Sequence, residues 1–322
     1  MSLEAGGDPR DDLTAAVAHY DTALKAVPDF GYAHANRGLA LRELADYEKD
    51  HGLAPDVHLD AAEAALRRSV ELLPDLDGTH TRLAEAYLTR AAHRLAIGQD
   101  PQPALGLARE QLDAAYGINA KPGPDFWMLR GRAAVLEAQA HLERGLSPMA
   151  ALDEARVCFG KAAVADPKLG QPHRLAGAAA TLEARWRAQA GQDPVPALAR
   201  ARGELEKAVA LGPKDAKALA AWADRCRWAA EWRRSRKQSA DAEVAEGLDR
   251  AQRALQKVPS LADAMAARGA LLRLRAESIA SPGERRATAQ KAREALQRAL
   301  ELNAHLRRAW EAEIRRADAL AD

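Results

Sequence analysis

The chain of 322 residues has few aromatic and few cysteine side chains, and no long apolar run. Aromatic residues make up 4%, and β-branched residues are also scarce, whereas alanine, leucine, arginine and glutamate dominate. This composition disfavours a β-sheet fold and predicts an all-α protein. No stretch approaches the roughly 18–20 consecutive apolar residues that a membrane span needs. We therefore expect no association with a membrane.

Only two cysteines are present, Cys158 and Cys226, and they lie far apart in the chain. They form no disulfide framework, which is typical of proteins from a reducing compartment. No secretory signal peptide precedes the first helical pattern. These features predict a cytoplasmic location.

Motifs that would carry catalysis are also missing from the sequence. There is no Gly-x-Ser-x-Gly elbow, no glycine-rich phosphate loop, no His-Arg-Asp and no Asp-Phe-Gly. Nine histidines invite a metal hypothesis, but His34, His80 and His173 fall at the same position of successive repeats. Such residues do not converge within the roughly 2 Å of one ion that ligation requires. We expect no enzymatic activity, no cofactor and no metal site.

What the sequence does contain is a long repeat, marked by the tetrapeptide Gly191-Gln192-Asp193-Pro194 and a closing Pro213. Equivalent stretches recur almost every 46 residues, and a period of this size predicts a solenoid. They occupy residues 6–28, 52–74, 98–120, 145–167, 191–213 and 237–259.

The tetrapeptide has the chemistry of a turn between two helices. Glycine suits the left-handed conformation after a helix, Asp or Ser accepts bonds at the next helix start, and proline fits the first helical position. Each unit is thus predicted to hold two helices. First helices are predicted at 31–51, 77–97, 124–144, 170–190, 216–236, 262–279 and 307–320. Second helices are predicted at 9–26, 55–73, 101–118, 148–165, 194–211, 240–257 and 282–303, the last opening on a capping box of Ser281 and Glu284.

Small and large residues alternate at matched places in these helices. Ala62, Leu66 and Ser69 illustrate the small/large/small spacing of the second helix, and His34 followed by Gly38 illustrates the first. Such spacing predicts a helix face that closes tightly on its neighbour.

This pattern resembles the tetratricopeptide repeat, whose positions are filled here by His34, Gly38, Ala62, Leu66, Ser69 and the closing Pro74. The family repeat has about 34 residues, so each unit here is longer by about 12, and the surplus lies around the turn. The resemblance implies a single right-handed α-solenoid of antiparallel helix pairs with about 14 helices. Its predicted parts are a half-repeat at 6–30, repeats at 31–76, 77–122, 123–169, 170–215, 216–261 and 262–304, and a capping helix at 305–322.

The turn sequence Gly-x-Asp-Pro-x-x-Ala-Leu at 98–105 and 191–198 resembles arrays found C-terminal to bacterial serine/threonine protein kinases. The chain also begins within a repeat, so we expect it to be a segment of a longer protein. The resemblance implies a non-catalytic scaffold that binds a protein or peptide in a concave groove lined by first helices.

Counting along the repeat gives the positions that the family uses to face a ligand. Only Asn36 and Arg82 match the Lys/Asn/Arg set that grips a peptide carboxylate in some members, so no such clamp is expected. The groove mixes arginine with small apolar residues and suits an extended or helical peptide with acidic groups. The predicted contacts are Tyr32, Leu39, Arg42, Arg82, Glu85, Arg132, Arg174, Lys217, Asp224, Arg227, Trp228 and Arg273.

Two alternatives remain open. Residues 1–215 carry a net charge of −6 and residues 216–322 a net charge of +7, and the basic end combines arginines with Trp222, Trp228 and Trp232. A polyanion or nucleic acid would suit such an end, although core tryptophans beside a solvated basic face are the simpler and preferred explanation, and nucleic acid is the less expected partner. The second alternative is self-association through an uncovered apolar face at 9–26.

Overall fold

The computed structural model describes residues 8–321, and these residues form fourteen α-helices and no strand. A short 3₁₀ turn, Ala304–Leu306, precedes the last helix. The helices are α1 Arg10–Ala26, α2 Gly31–Asp50, α3 Asp56–Leu72, α4 Asp77–Ala96, α5 Gln102–Ile118, α6 Pro124–Glu143, α7 Met149–Ala165, α8 Gln171–Gln189, α9 Val195–Leu211, α10 Ala216–Ser235, α11 Asp241–Lys257, α12 Ala262–Ser278, α13 Pro282–Leu302 and α14 Arg307–Ala321.

The turns that lead into α3, α5, α7, α9 and α11 share one geometry. At the third turn, Gly98 has φ +78°, and the Gln99 N–H donates across it to the Arg94 carbonyl at 2.7 Å. Asp100 then accepts from the Gln102 N–H at 3.1 Å, and Pro101 already has helical dihedral angles. The same backbone hydrogen bond, from an N–H to the carbonyl five residues earlier, closes the turns before α3, α7, α9 and α11. The predicted glycine and side-chain acceptor are confirmed at 98–101, 145–148 and 191–194. Proline takes the N-cap rather than the first helical position in α5 and α9, and Ala54 offers no acceptor before α3. Gly6 and Gly7 of the first turn lie outside the described residues.

The paired helices approach closely at the small residues that the sequence pattern predicts. A Cβ built on Gly38 would lie 2.5 Å from Cγ of Leu66, and one on Gly177 would lie 2.6 Å from Cγ of Leu205. A Cβ built on Gly131 would likewise clash with the ring of Phe159. Since real Cβ atoms do not approach so closely, only glycine fits these crossings. The large residues of α3, α7 and α9 therefore pack into notches of α2, α6 and α8.

Helix contacts divide the chain into two compact units, Met1–Ala165 and Asp166–Asp322. In the first unit α3 packs between α2 and α4, and α5 packs between α4 and α6, while α4 also contacts α2 and α6. In the second unit α10 contacts α8 and α12 in the same manner, and α14 contacts α12 and α13. First helices thus lie side by side within each unit, which is the arrangement of stacked helix pairs.

The end of the second unit is irregular, as the sequence indicates. Helix α12 stops at Ser278, three residues before Ser281, and α13 is the longest helix at 21 residues. The predicted capping box was wrong, because the side chain of Ser281 makes no cap bond; its carbonyl accepts from the Arg285 N–H instead. Among the described helices, none combines the length and apolar character that crossing a bilayer demands.

Candidate partner-binding surfaces

Three predicted contact residues from three successive first helices meet in the first unit. Glu85 of α4 lies 3.6 Å from the Arg42 guanidinium of α2 and 3.4 Å from the Arg132 guanidinium of α6, measured from the same carboxylate oxygen. Arg42 is 8% exposed and also pairs with Asp46 one turn along α2, whereas Arg132 and Glu85 keep about a quarter of their side-chain surface exposed, 29% and 25%. We call Arg42, Glu85 and Arg132 the Glu85 ladder.

An exposed aromatic residue marks the other end of α2. Tyr32 is 53% exposed and packs edge-on against Phe30, with ring centroids 6.4 Å apart. Leu39 lies two turns further along α2 and is half-buried. At 100° per residue, Tyr32, Leu39 and Arg42 fall within one face of the helix. This face therefore offers an accessible ring, an apolar side chain and the ionic ladder in sequence.

Arg82 is hydrogen-bonded to Asn36, the other residue that matches the Lys/Asn/Arg set by which some family members grip a peptide carboxylate. Its Nη1 donates to Asn36 Oδ1 at 2.9 Å, which links α4 to α2. Both side chains are half-buried. Because the guanidinium of Arg82 is bonded to the amide oxygen of Asn36, we interpret this pair as a contact that holds α4 against α2.

In the second unit, two predicted basic residues lie near the start of first helices. Arg174 of α8 approaches Asp215, with 3.2 Å between Nε and a carboxylate oxygen, and keeps 21% of its side chain exposed. Lys217, near the start of α10, is exposed. These two side chains are basic and border the same inter-helix junction.

Deeper along α10, the guanidinium of Arg227 lies between two indole rings. Its carbon is 4.2 Å from the Trp228 ring centroid and 4.9 Å from that of Trp310, which belongs to α14. Asp224 pairs with it from one turn away at 2.7 Å. Cation–π contact and an ion pair together leave Arg227 8% exposed.

Arg273 of α12 is the most enclosed of the predicted residues, at 2% exposure. Its guanidinium donates to Glu313 at 3.0 Å, to Glu277 at 2.8 Å and to Glu231. Burial by itself would lower the pKa of Arg273, but the surrounding carboxylates outweigh burial and hold that pKa above its usual range. Three helices, α10, α12 and α14, supply these carboxylates.

The structure therefore separates the predicted contacts by their accessibility. Tyr32 and Lys217 are exposed; Leu39, Arg82, Glu85, Arg132, Arg174, Asp224 and Trp228 are half-buried; Arg42, Arg227 and Arg273 are buried. Sequence counting missed the acidic partners, although Asp46 and Glu277 each follow a predicted arginine by four residues. That spacing is the usual one for an ion pair on a helix and is the signal that would have found them.

The histidines that recur in the sequence tie first helices to the preceding turn. His34 Nε2 lies 2.8 Å from the Pro28 carbonyl oxygen, and His80 repeats the bond to Pro74 at 3.2 Å. The other ring nitrogen of His80 bonds Gln111, and that of His173 bonds Glu204. A shared packing role explains why histidine occupies this position.

One group of possible ligand atoms does converge, formed by Cys226, Glu243 and Glu246 within 4.8 Å of one another. A cationic group already occupies it, because the Arg225 guanidinium pairs with Glu243 at 2.6 Å. Burial raises the pKa of Cys226 to about 12, so that the thiol keeps its proton at neutral pH. These groups fit an internal ion pair better than a metal.

A further surface that the sequence did not indicate lies on α6 and α7. An open groove runs beside Trp127 and is lined by Pro122, Val157, Lys161 and Val164. The Lys161 ammonium lies 4.0 Å from the Trp127 ring centroid, and Val164 is 81% exposed. At the start of the described chain, α1 fully buries no residue, although Leu13 and Val17 of the face expected to support self-association are partly buried against α2 and α3.

Among known proteins, no family model and no curated sequence matches the chain. Similar solved structures include TTC0263, a thermophilic TPR protein in Thermus thermophilus, at 18% identity over 75% of this chain and 98% of that chain, with a TM-score of 0.48. Another is YrrB, a TPR protein with an unusual peptide-binding site, at 11% identity over 76% and 95% with a TM-score of 0.40. A third is the human IFIT1 dimer with PPP-AAAA, at 14% identity over 90% and 69% with a TM-score of 0.46. By its own helix pairing and packing, the protein is an all-α, tetratricopeptide-like solenoid.

Proposed function

We propose that the protein is a non-catalytic scaffold that binds a protein or peptide partner along its first helices. The observation that carries this proposal is the convergence of Arg42, Glu85 and Arg132, from three repeats, on one continuous face. Tyr32 and Leu39 extend that face with an accessible ring and an apolar side chain. Aromatic and arginine side chains are the ones that most often dominate binding energy at interfaces.

The chemistry of this face indicates the kind of partner. Glu85 is shared by two guanidinium groups, and Arg132 keeps part of its surface accessible. A peptide with a carboxylate near Arg132 and an apolar side chain near Tyr32 and Leu39 would complement it. The partner is thus an extended or helical segment with acidic groups.

We further propose that the array works in the cytoplasm as the C-terminal part of a bacterial signalling serine/threonine kinase. Support comes from the turn sequences at 98–105 and 191–198. Sequencing the coding region upstream of Met1 tests this idea. An in-frame kinase domain is the expected result, and a stop codon directly upstream would overturn it.

Binding is tested by selecting ligands for the full chain from a random-peptide library and measuring their affinity by fluorescence anisotropy. Tyr32→Ala should weaken the selected peptides about tenfold, as truncation of an interface anchor does. Arg132→Gln should weaken acidic peptides in particular, while Glu85 stays paired with Arg42. Both changes lie at partly exposed side chains, so the fold is retained.

Matched controls are available on second helices. Tyr116 of α5 is 41% exposed, and Arg156 of α7 pairs with Asp153 one turn away at 3.3 Å. Tyr116→Ala and Arg156→Gln should leave affinity unchanged. Equal effects of the test and control variants would place the ligand away from the first-helix face.

The alternative, a polyanion site in residues 216–322, has one specific observation in its favour. Arg236 stacks over Trp232, at 4.5 Å from guanidinium carbon to ring centroid, and exposed Arg233 and Lys237 adjoin it. Binding of a single-stranded oligonucleotide that falls steeply with salt and ignores Tyr32→Ala would support this function instead. Salt-insensitive peptide binding would exclude it.

A further inference from the structure

The last helix, α14, is held differently from the other first helices of its unit. Of its 15 residues, only Glu313 and Ala317 are buried, whereas α12 buries ten of 17. Its apolar contacts come from Ala317 and the partly buried Trp310 and Ile314, which pack beside Ala292 and Leu296 of α13. A helix with so few buried apolar side chains opens at a low free-energy cost.

Two side chains of α14 reach past α12 to α10. The Trp310 ring lies 4.9 Å from the Arg227 guanidinium, and Glu313 lies 4.0 Å from it through one carboxylate oxygen. The other oxygen of Glu313 accepts from Arg273 Nε at 3.0 Å. Trp310 and Glu313 are three residues apart and so project from the same side of the helix.

These contacts fall on residues that repeat counting assigns to the ligand. Arg227, Trp228 and Arg273 are predicted contact residues, and Trp310 completes an arginine sandwich with Trp228 around Arg227. Helix α14 therefore supplies an aromatic ring and a carboxylate where a partner would be expected to supply them.

We propose that α14 is an internal ligand of the face formed by α10 and α12, and that the partner of this face is a helical segment with an aromatic residue followed three positions later by a carboxylate. The inference rests on the proposed scaffold function and extends it to the second unit. A partner of this chemistry exchanges with α14, so that its affinity depends on how readily α14 leaves.

The ionic arrangement permits that exchange. When α14 departs, Arg273 still pairs with Glu231 and Glu277, and Arg227 still pairs with Asp224. Neither guanidinium is left buried without a carboxylate, which would otherwise oppose opening. Arg316 of α14, which contacts Glu231 and Glu313, is 56% exposed and adds little to the docking.

The test uses the full chain with Trp310→Ala and Glu313→Gln combined, and a fluorescein-labelled synthetic peptide with the sequence of residues 304–321. Amide exchange within α14 should be at least about tenfold faster in the double variant, because its two links to α10 and Arg273 are gone. The peptide should bind the double variant about tenfold more tightly than the natural chain, where α14 competes. Glu311→Gln is the matched control, since Glu311 lies on the exposed side of α14 and pairs with Arg315; it should change neither measurement.

A second peptide keeps the test independent of how the protein variant folds. Carrying the same two substitutions, it should fail to bind the double variant. Unchanged α14 exchange in the double variant, or equal binding of both peptides, would overturn the inference. The scaffold proposal is judged separately by Tyr32→Ala in the first unit, so that either proposal can fail while the other stands.

Discussion

Lys237 adopts a backbone conformation that glycine adopts at four equivalent turns. Its φ is +58°, against +70°, +78°, +69° and +72° at Gly52, Gly98, Gly145 and Gly191. A side chain in this left-handed region costs about 1 kcal/mol because Cβ crowds the backbone. The turn before α11 still closes, since the Gln238 N–H reaches the Arg233 carbonyl at 2.9 Å. The repeat geometry thus imposes strain at the one turn in this described series that lacks glycine.

Lys237→Gly should therefore raise the free energy of unfolding by at most about 0.5 kcal/mol, because the greater freedom of glycine in the unfolded chain offsets about half or more of the strain that is relieved. Urea denaturation followed by circular dichroism measures the change. Gly191→Ala provides the reverse test at an equivalent turn and should lower stability by a similar amount. Unchanged stability in both variants would show that the turn relaxes around a side chain.

Burial of Cys226 makes stability depend on alkaline pH. Desolvation raises the pKa of this thiol to about 12, whereas an unfolded cysteine titrates near its ordinary value of about 9. Between these values the folded chain holds a proton that the unfolded chain has lost, so stability falls as pH rises from about 9 towards 12. Unfolding of the natural chain and Cys226→Ala is compared across this range. The stability advantage of the natural chain should shrink with pH, and a constant difference would contradict the assignment.

At the scale of the helices, the sequence predicts most of what the structure contains. Every predicted helix boundary lies within about one residue of the observed one over residues 8–321. Local chemistry explains this accuracy, because glycine, a capping Asp or Ser and proline mark most of the turns from a first to a second helix. The capping box of Ser281 and Glu284 is an exception: α13 begins where predicted, but the Ser281 side chain makes no cap bond.

Side-chain exposure was less predictable, because it depends on residues from helices far apart in sequence. Repeat counting places Arg42, Arg227 and Arg273 correctly on first helices but treats them as available to a ligand. Their carboxylate partners include Glu85, Glu231 and Glu313, which lie on other helices. A periodic pattern describes one repeat and its neighbour, and it gives no sign that α14 would reach α10.

Arg273 links three helices, and its loss should be costly. Arg273→Ala would leave Glu231, Glu277 and Glu313 close together without their shared cation, and breaking a buried ion pair in this way costs about 3–5 kcal/mol. Arg275→Ala, an exposed arginine on the same helix, should change stability by less than about 0.5 kcal/mol. Urea unfolding of the two variants is the measurement. Similar stabilities would show that the carboxylates find other partners.

For the whole molecule, the two compact units raise the question of how far a local defect spreads. Leu66 of α3 and Leu205 of α9 are both fully buried and close on the glycine notches of Gly38 and Gly177. In a stack of repeats, stability comes from each repeat and its contacts with the next, so that a lost contact is felt mainly by neighbouring helices. Truncating a buried leucine to alanine costs about 2–5 kcal/mol.

Leu66→Ala should therefore accelerate amide exchange in α2 to α5 while leaving α11 to α13 unchanged. Leu205→Ala should do so in α8 to α10 and leave α1 to α3 unchanged. Hydrogen exchange with mass spectrometry resolves these segments, and each variant serves as the control for the other, since the substitution and its repeat position are the same. Equal acceleration throughout the chain in both variants would mean that the described helices unfold as a single cooperative unit. Confined effects would mean that a partner bound to the first helices of one unit stabilises that unit while the helices of the other exchange as before.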